Sequence, residues 1–331
     1  MRKPGFLMQK IKRSKEMKTI EEFTKELSNG VLSVLPTKLS AELKLNPVSV
    51  TKVNDQEYHG ISFVLEDPGM SPMYSVDDMY EEYNKGRNMN ELIVELAQSY
   101  LMSLVRPDRR PLELKYDEAK NHLAFRVLDI RRNVKYLEKV PYINLGFDLA
   151  LVPDIRMDDG NGGLWRTAVQ HDMFKDMDDQ EMFDYALKHA RSVDPPLLTA
   201  TWGKNPDSEE VVNLLDIEDC IRDIDKEVFY VLTNSHNLLG ASVMFYPGVQ
   251  EDVARVLGES YYAIPSSINE FLIIPLSAGV EYEYLRDLLE EANSEKTEPG
   301  EVLTDKVFFY DKETQVFGPW EEMENLPHLK S

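Results

Sequence analysis

Residues 229–276 read FYVLTNSHNLLGASVMFYPGVQEDVARVLGESYYAIPSSINEFLIIPL, the stretch with the densest strand character in the chain. Phe229 to Thr233 and Ala241 to Tyr246 are apolar runs rich in β-branched and aromatic residues. Asn234, Ser235, Asn237 and Gly240 lie between them, so the pattern predicts a hairpin. Val249, Val253, Val256 and Leu257 then recur at helical spacing behind Pro247-Gly248, and Gly258 stands where a C-terminal cap would. Phe271 to Ile274 is a continuous apolar run stopped by Pro275, the pattern of a strand covered on both faces. The expectation is an α+β fold, a mixed sheet with flanking helices. Strands 229–233, 241–246 and 271–274 are central in it, and helices 249–257 and 281–292 pack on it.

Toward the N-terminus, Ile20, Phe23, Leu27 and Val31 mark an amphipathic helix ending before Pro36. Val48 and Val50 alternate with Ser49 and Thr51, and Ile61, Phe63 and Leu65 with Ser62 and Val64, on either side of a turn at Asn54-Asp55. Ser75-x-x-Asp78 opens a short helix stopped by Gly86, and Leu92, Leu96, Tyr100 and Leu104 belong to a long one over 88–105. Phe147 to Val152 predicts a buried strand closed by Pro153, residues 178–189 a helix with Met182, Ala186 and Ala190 on one side, and Val307 to Tyr310 a last strand. Ser277 is the expected cap of the helix carrying Leu285 and Leu289. These elements divide into a lobe over 17–135 and a lobe over 136–331 built around 229–276. A faint echo, Val140-Pro-Tyr-Ile-Asn before Phe147 and Ile264-Pro-Ser-Ser-Ile-Asn before Phe271, suggests a weak internal repeat of a strand-helix unit.

At 331 residues and 42% hydrophobic, the chain is long enough to bury a sizeable core, and a net charge of -22 opposes non-specific binding to nucleic acid or anionic lipid. A lone Cys220 excludes an intrachain disulfide and fits a reducing compartment, and no apolar run approaches the length of a membrane span. A cytoplasmic protein without a membrane segment is therefore expected. In the first eighteen residues Arg2, Lys3, Lys10, Lys12, Arg13, Lys15 and Lys18 face Glu16 alone, and residues 1–16 form a basic arm. They read as a disordered lead-in from an upstream start, with Met17 beginning the ordered protein; the alternative is a flexible arm over 2–18 that touches nucleic acid or the acidic body.

P-loop, GxGxxG, GxSxG and HExxH patterns are all absent, which lowers the expectation of an enzyme. The six histidines share no metal-ligand spacing, and Asp158 to Gly163 lacks the side chains of a calcium loop, so neither a metal nor a cofactor is expected. One segment has a functional look: Ile264 to Glu270 sets hydroxyls, an amide and a carboxylate at the entrance to a buried strand. The candidate catalytic residues are Ser266, Ser267 and Glu270, and the candidate ligand-binding residues are Thr233, Asn234 and Asn269. The competing reading is a turn whose side chains bond the local backbone.

The chain resembles an uncharacterised bacterial domain-of-unknown-function family, family 5688, common in anaerobic gut bacteria. The resemblance runs from about Met17 to Asp311. Its marks are Tyr80, Tyr83 and Gly86; Val140-Pro141; Tyr230 to Asn234; Gly240-Ala241; Ile264 to Ile268 with Glu270; Asn293; and Leu303 to Val307. In the family pattern a His precedes the Glu of the Pro-Ser-Ser segment, where this chain has Asn269; were that His catalytic in relatives, this chain would be impaired. A weaker likeness is to another uncharacterised bacterial family with an apolar-Pro-x-x-acidic-strand segment. The resemblance implies a fold and a cytoplasmic bacterial origin, not a mechanism. The expected function is that of a non-catalytic protein-binding or accessory protein, carried by mobile elements, with an acidic DNA mimic as a narrower version. The alternative is a hydrolase-like or small-ligand site at Pro265 to Glu270.

Overall fold

A computed structural model describes residues 18–64, 73–105, 115–158, 164–174, 177–200, 212–217 and 229–324. The basic arm but for Lys18, the 159–163 loop, Cys220 and most of the acidic stretch over 194–227 lie outside them. The chain divides into two compact units, one of residues 1–50 and 57–112, the other of residues 51–56 and 113–331.

In the first unit, helices α1 (Ile20–Val34) and α2 (Thr37–Glu42) precede strands β1 (Lys44–Thr51), β2 (Glu57–Val64) and β3 (Met73–Ser75), followed by helices α3 (Val76–Asn84) and α4 (Met89–Val105). A capping box starts α1: the Thr19 hydroxyl accepts from the Glu22 amide while the Glu22 carboxylate accepts from the Thr19 amide. Its apolar stripe, Phe23, Leu27 and Val31, meets Leu92, Leu96 and Tyr100 of α4 and Ile61 and Phe63 of β2 in one core. Leu96 is buried and Leu101 is half-buried against this core, so the long helix is a packing element.

The second unit holds α5 (Tyr116–Ala119), β4 (Leu123–Asp129), α6 (Val134–Leu137), β5 (Ile143–Gly146), β6 (Leu149–Asp158), β7 (Leu164–Ala168), α7 (Asp179–Val193), β8 (Pro196–Ala200) and β9 (Tyr230–Asn234). After these come α8 (Val249–Leu257), β10 (Tyr261–Ser267), β11 (Glu270–Pro275), α9 (Tyr282–Glu291), β12 (Phe308–Asp311), β13 (Val316–Pro319) and α10 (Trp320–Met323). One sheet has the order β13-β12-β10-β11-β9-β8, and a second has β6 between β4 and β5, with β7 also on β6. The fold is α+β. The mixed sheet expected from the sequence is instead antiparallel at every pairing along the six strands.

Both faces of the six-stranded sheet are buried, and the alternation along each strand sorts its residues. Tyr261, Ala263, Phe271, Ile273, Phe308 and Tyr310 face the main core with α8, whereas Tyr262, Ile264, Ile274 and Phe309 face α9 through Leu285 and Leu289. Burial on both sides explains why 271–274 reads as an unbroken apolar run. Gly258 is the left-handed cap of α8, at φ +80°.

The hairpin expected over 229–246 does not form. Only its first strand exists; residues Gly240–Phe245 make a 3-10 helix entered through Leu239 at φ +55°, and β9 pairs with β8 and β11 instead. Its buried run has strand composition but no alternating exposure, so nothing local opposes the tertiary choice. The strand expected over 147–152 begins at Leu149, because Phe147 and Asp148 form the left-handed turn between β5 and β6. It also runs through Pro153 to Asp158. The Pro153 carbonyl accepts from the Val169 amide on the β7 side. A residue's N–H and C=O share one side of a strand, so the missing N–H falls where pairing passes from β5 to β7 and costs no ladder bond. The cap of α9 is Glu281 without a side-chain bond, not Ser277. The echoed residues differ in place: Phe147 is in a turn and Phe271 in a strand.

The tip of the β1–β2 hairpin belongs to the second unit. Asn54, left-handed at φ +59°, donates its amide to Asn133 Oδ1 at 2.6 Å and its side-chain nitrogen to the carbonyls of Pro299 and Val302. The Asp55 carboxylate accepts from the amides of Lys135 and Tyr136 at the start of α6.

Candidate functional site

The β10–β11 hairpin brings the sequence candidates together. Pro265 pairs with Phe271 and Ser267 with Glu270, so Ser266 is the extra residue of a bulge. The Ser266 hydroxyl donates to Glu270 Oε1 at 2.9 Å, and both side chains are half-buried. Ser267 Oγ accepts from the Asn269 amide at 3.0 Å, a local turn bond. Asn269 faces inward on two counts: its carbonyl accepts from Thr233 Oγ1 at 2.8 Å and its Oδ1 from the Leu239 amide at 2.9 Å. The Ile268 carbonyl accepts from the Ala241 amide, and the Ile268 amide donates to the Glu301 carbonyl. Gly240 allows these segments to meet, since a Cβ there would lie 2.2 Å from Thr233 Oγ1 and 2.7 Å from the Asn269 carbonyl oxygen.

Asn234 is fully buried, and its side chain makes four hydrogen bonds. Its Oδ1 accepts from the amides of His236 and Leu238, and its Nδ2 donates to the Leu238 carbonyl and to Asp194 Oδ2 at 3.1 Å. Thr233, Asn234, Asn269 and Ser267 thus spend their polar groups on the loop that carries them. Ser266 and Glu270 form a separate pair.

Behind Asn234 lies a charged network that sequence reasoning missed. Asp154 on β6 receives a two-pronged contact from Arg126 on β4, at 2.6 and 3.0 Å, and a third bond from Arg166 Nε on β7 at 3.2 Å. Arg166 continues to Asp194 Oδ2 at 3.2 Å and to the carbonyls of Leu238 and Phe125. Asp194 ends α7, and its Oδ2 also accepts from Tyr246 at 3.2 Å, whereas its buried Oδ1 has no partner among the described residues. Burial, and then the Asp194 charge, push the Tyr246 phenol far above its ordinary value, so it stays a donor. Two guanidiniums balance two carboxylates, so the buried cluster is neutral. Its arrangement fixes the Asn234 loop between the two sheets. The signal available in the sequence was a charge inside an apolar run: Arg126 within LAFRVLD and Asp154 directly after LALVP.

At the outer end, Arg156 reaches the Val193 carbonyl and His236 Nε2, and Ser235 Oγ lies 2.7 Å from His236 Nδ1. Burial, then Arg156, pushes the His236 imidazole below its ordinary 6.5; Asp194 acts in the opposite sense and Arg166 in the same one. Below that pH the unfolded chain takes up a proton that the folded chain resists, so this contribution is complete above about 6.5 and is lost as the pH falls. Urea unfolding at about pH 7.5 and about pH 5 should show a smaller acid loss for His236→Asn than for the wild type. Equal losses would remove His236 from the acid response.

Other residues that carry the family resemblance hold turns and packing. Tyr80 and Tyr83 pack on Phe23, Asn293 Nδ2 donates to the Thr304 carbonyl, and Asp305 and Lys306 pair with Arg131 and Asp148. Among the described residues no helix is long and apolar enough to cross a membrane. No curated protein and no solved structure matches the chain. A family model described as a family of unknown function (DUF5688) matches residues 20–312, the span over which the sequence motifs are distributed. With most of its length under that match, the chain belongs to the DUF5688 family.

Proposed function

We propose that the protein is a non-catalytic protein-binding or accessory protein of the bacterial cytoplasm, carried by mobile elements. The observation that supports this reading is the use of Thr233, Asn234, Ser267 and Asn269 to tie one loop system together, as scaffold residues do. The net charge of -22 supports a protein partner with a basic contact surface, because like-charged partners and nucleic acid are repelled. Capture from a native host lysate at low salt, followed by binding of the purified partner, should retain such a protein and release it as salt rises. Failure to retain any partner at low salt counts against the reading.

A second reading is favoured by one contact, the 2.9 Å hydrogen bond from Ser266 to Glu270. A carboxylate at that distance can take the hydroxyl proton, as a hydrolase-like or ligand-binding site requires. Glu270→Gln separates the readings. If the pair is scaffold, the variant keeps partner binding, and its stability stays within about 1 kcal/mol because the amide oxygen still accepts from Ser266. Under the second reading it abolishes binding or turnover of a small ligand at unchanged melting temperature.

A further inference from the structure

The end of α9 and the segment that leads into β12 meet through two residues whose polar atoms are only half used. Leu285 and Leu289 form the row by which α9 rests on the sheet, and Asn293 holds the next position of that row. Residues Ala292–Lys296 form a π-helical turn, closed by the Thr297 amide on the Ala292 carbonyl at 2.9 Å, a bond that spans one residue more than an α-turn. From this turn Asn293 reaches the returning chain. Its Nδ2 donates to the Thr304 carbonyl at 3.0 Å, which fixes the direction of the amide.

The other half of each side chain is unanswered. Asn293 Oδ1 and Thr304 Oγ1 are both sealed from solvent, and neither has a hydrogen-bond partner among the described residues. Thr304 as a whole is fully buried. Oδ1 can only accept, whereas the hydroxyl donates and accepts. A buried polar atom left unpaired costs more than a hydrogen bond returns, and here two such atoms belong to residues that are already bonded to each other. One bridging molecule would answer both.

The place itself selects that molecule. Both atoms are closed to solvent, so the bridge is small and is enclosed as the chain folds. Two neutral oxygens do not offset the lost hydration of a metal cation, and Oδ1 has no proton to offer an anion. Water meets both demands, giving a proton to Oδ1 and taking one from the hydroxyl. We infer that Asn293 and Thr304 hold an internal water, which donates to Asn293 Oδ1, accepts from Thr304 Oγ1 and fastens the end of α9 to the approach to β12. The site is independent of the partner-binding reading and of the Ser266–Glu270 pair.

The direct test is a crystal structure of the full chain at a resolution that shows ordered solvent. One solvent peak is expected within about 2.5–3.0 Å of both oxygens. No such peak, or a Thr304 hydroxyl turned directly onto Oδ1, would overturn the inference. In solution, oxygen-17 relaxation dispersion counts the waters held for longer than the protein takes to tumble, and Thr304→Val, close to threonine in shape, should hold one fewer than the wild type. Urea unfolding of the same variant should give an equilibrium constant for unfolding raised about tenfold, because Oδ1 loses its bridge. An undiminished water count, or a variant at least as stable as the wild type, counts against the bridge. Should the valine variant not fold, Thr304→Ser keeps the hydroxyl and is expected to keep the wild-type water count; a lower count there would overturn the inference as well.

Discussion

Arg166→Met is expected to lower the unfolding free energy by about 3–5 kcal/mol, the range for breaking a buried ion pair from one side. The side chain is 2% exposed, and Asp154 and Asp194 beside it are sealed from solvent. Methionine approximates the volume of the guanidinium arm but cannot answer either carboxylate. Asp154 retains Arg126, so the larger share of the loss falls on Asp194, whose one engaged oxygen keeps only Asn234 and Tyr246. Asp194→Asn in the Arg166→Met background should recover part of the loss by removing the unpaired charge. Urea midpoints at unchanged slope measure both effects. A loss under about 1 kcal/mol for the single variant would show that the network is hydrated and weak.

Gly240→Ala should be nearly as damaging, for a reason of space alone. The added methyl carbon would stand 2.2 Å from Thr233 Oγ1, 2.6 Å from the Asn234 amide nitrogen and 2.7 Å from the Asn269 carbonyl oxygen. A hydroxyl can rotate away, but two of these three atoms are backbone, one in β9 and one in the β10–β11 turn. The expected loss is at or above the upper end of the roughly 1–3 kcal/mol typical of overpacking. It should be accompanied by faster hydrogen exchange at the Leu239 and Ala241 amides, which donate across this contact. Wild-type protection at those two amides would place the strain elsewhere.

The sequence reveals the parts of this molecule whose instructions are local. Helices α1, α4 and α8 carry their apolar stripes and at least one end signal within a few residues, and each lies where its pattern predicts. Strand β11 is legible because a strand buried on both faces has a composition of its own. Strand β10 is hidden by Pro265 and two serines, which read as a turn and are accommodated by a bulge. The segment 240–245 is entered at Leu239, whose amide donates to Asn269 Oδ1 thirty positions away, a contact that no local window on the sequence contains. The candidate residues gather as their proximity suggests, but their hydrogen bonds point into the scaffold, and hydrogen-bond direction is a property of the folded loop. Arg126, Asp154, Arg166 and Asp194 come from three strands and a helix end, so only the register of β4, β6 and β7 shows that their charges cancel.

The hexapeptide 51–56 sets a rule for dissecting the chain. A fragment started at residue 113 has the length of a domain but lacks six of that unit's residues. In it the buried Asn133 amide loses both of its bonds to Asn54, and the first amides of α6 lose the carboxylate of Asp55. During synthesis the same hexapeptide must wait for the carbonyls of Pro299 and Val302, which follow about 245 residues later. The second unit therefore cannot close before Val302 has been made, which places its completion after the local helices of the first unit.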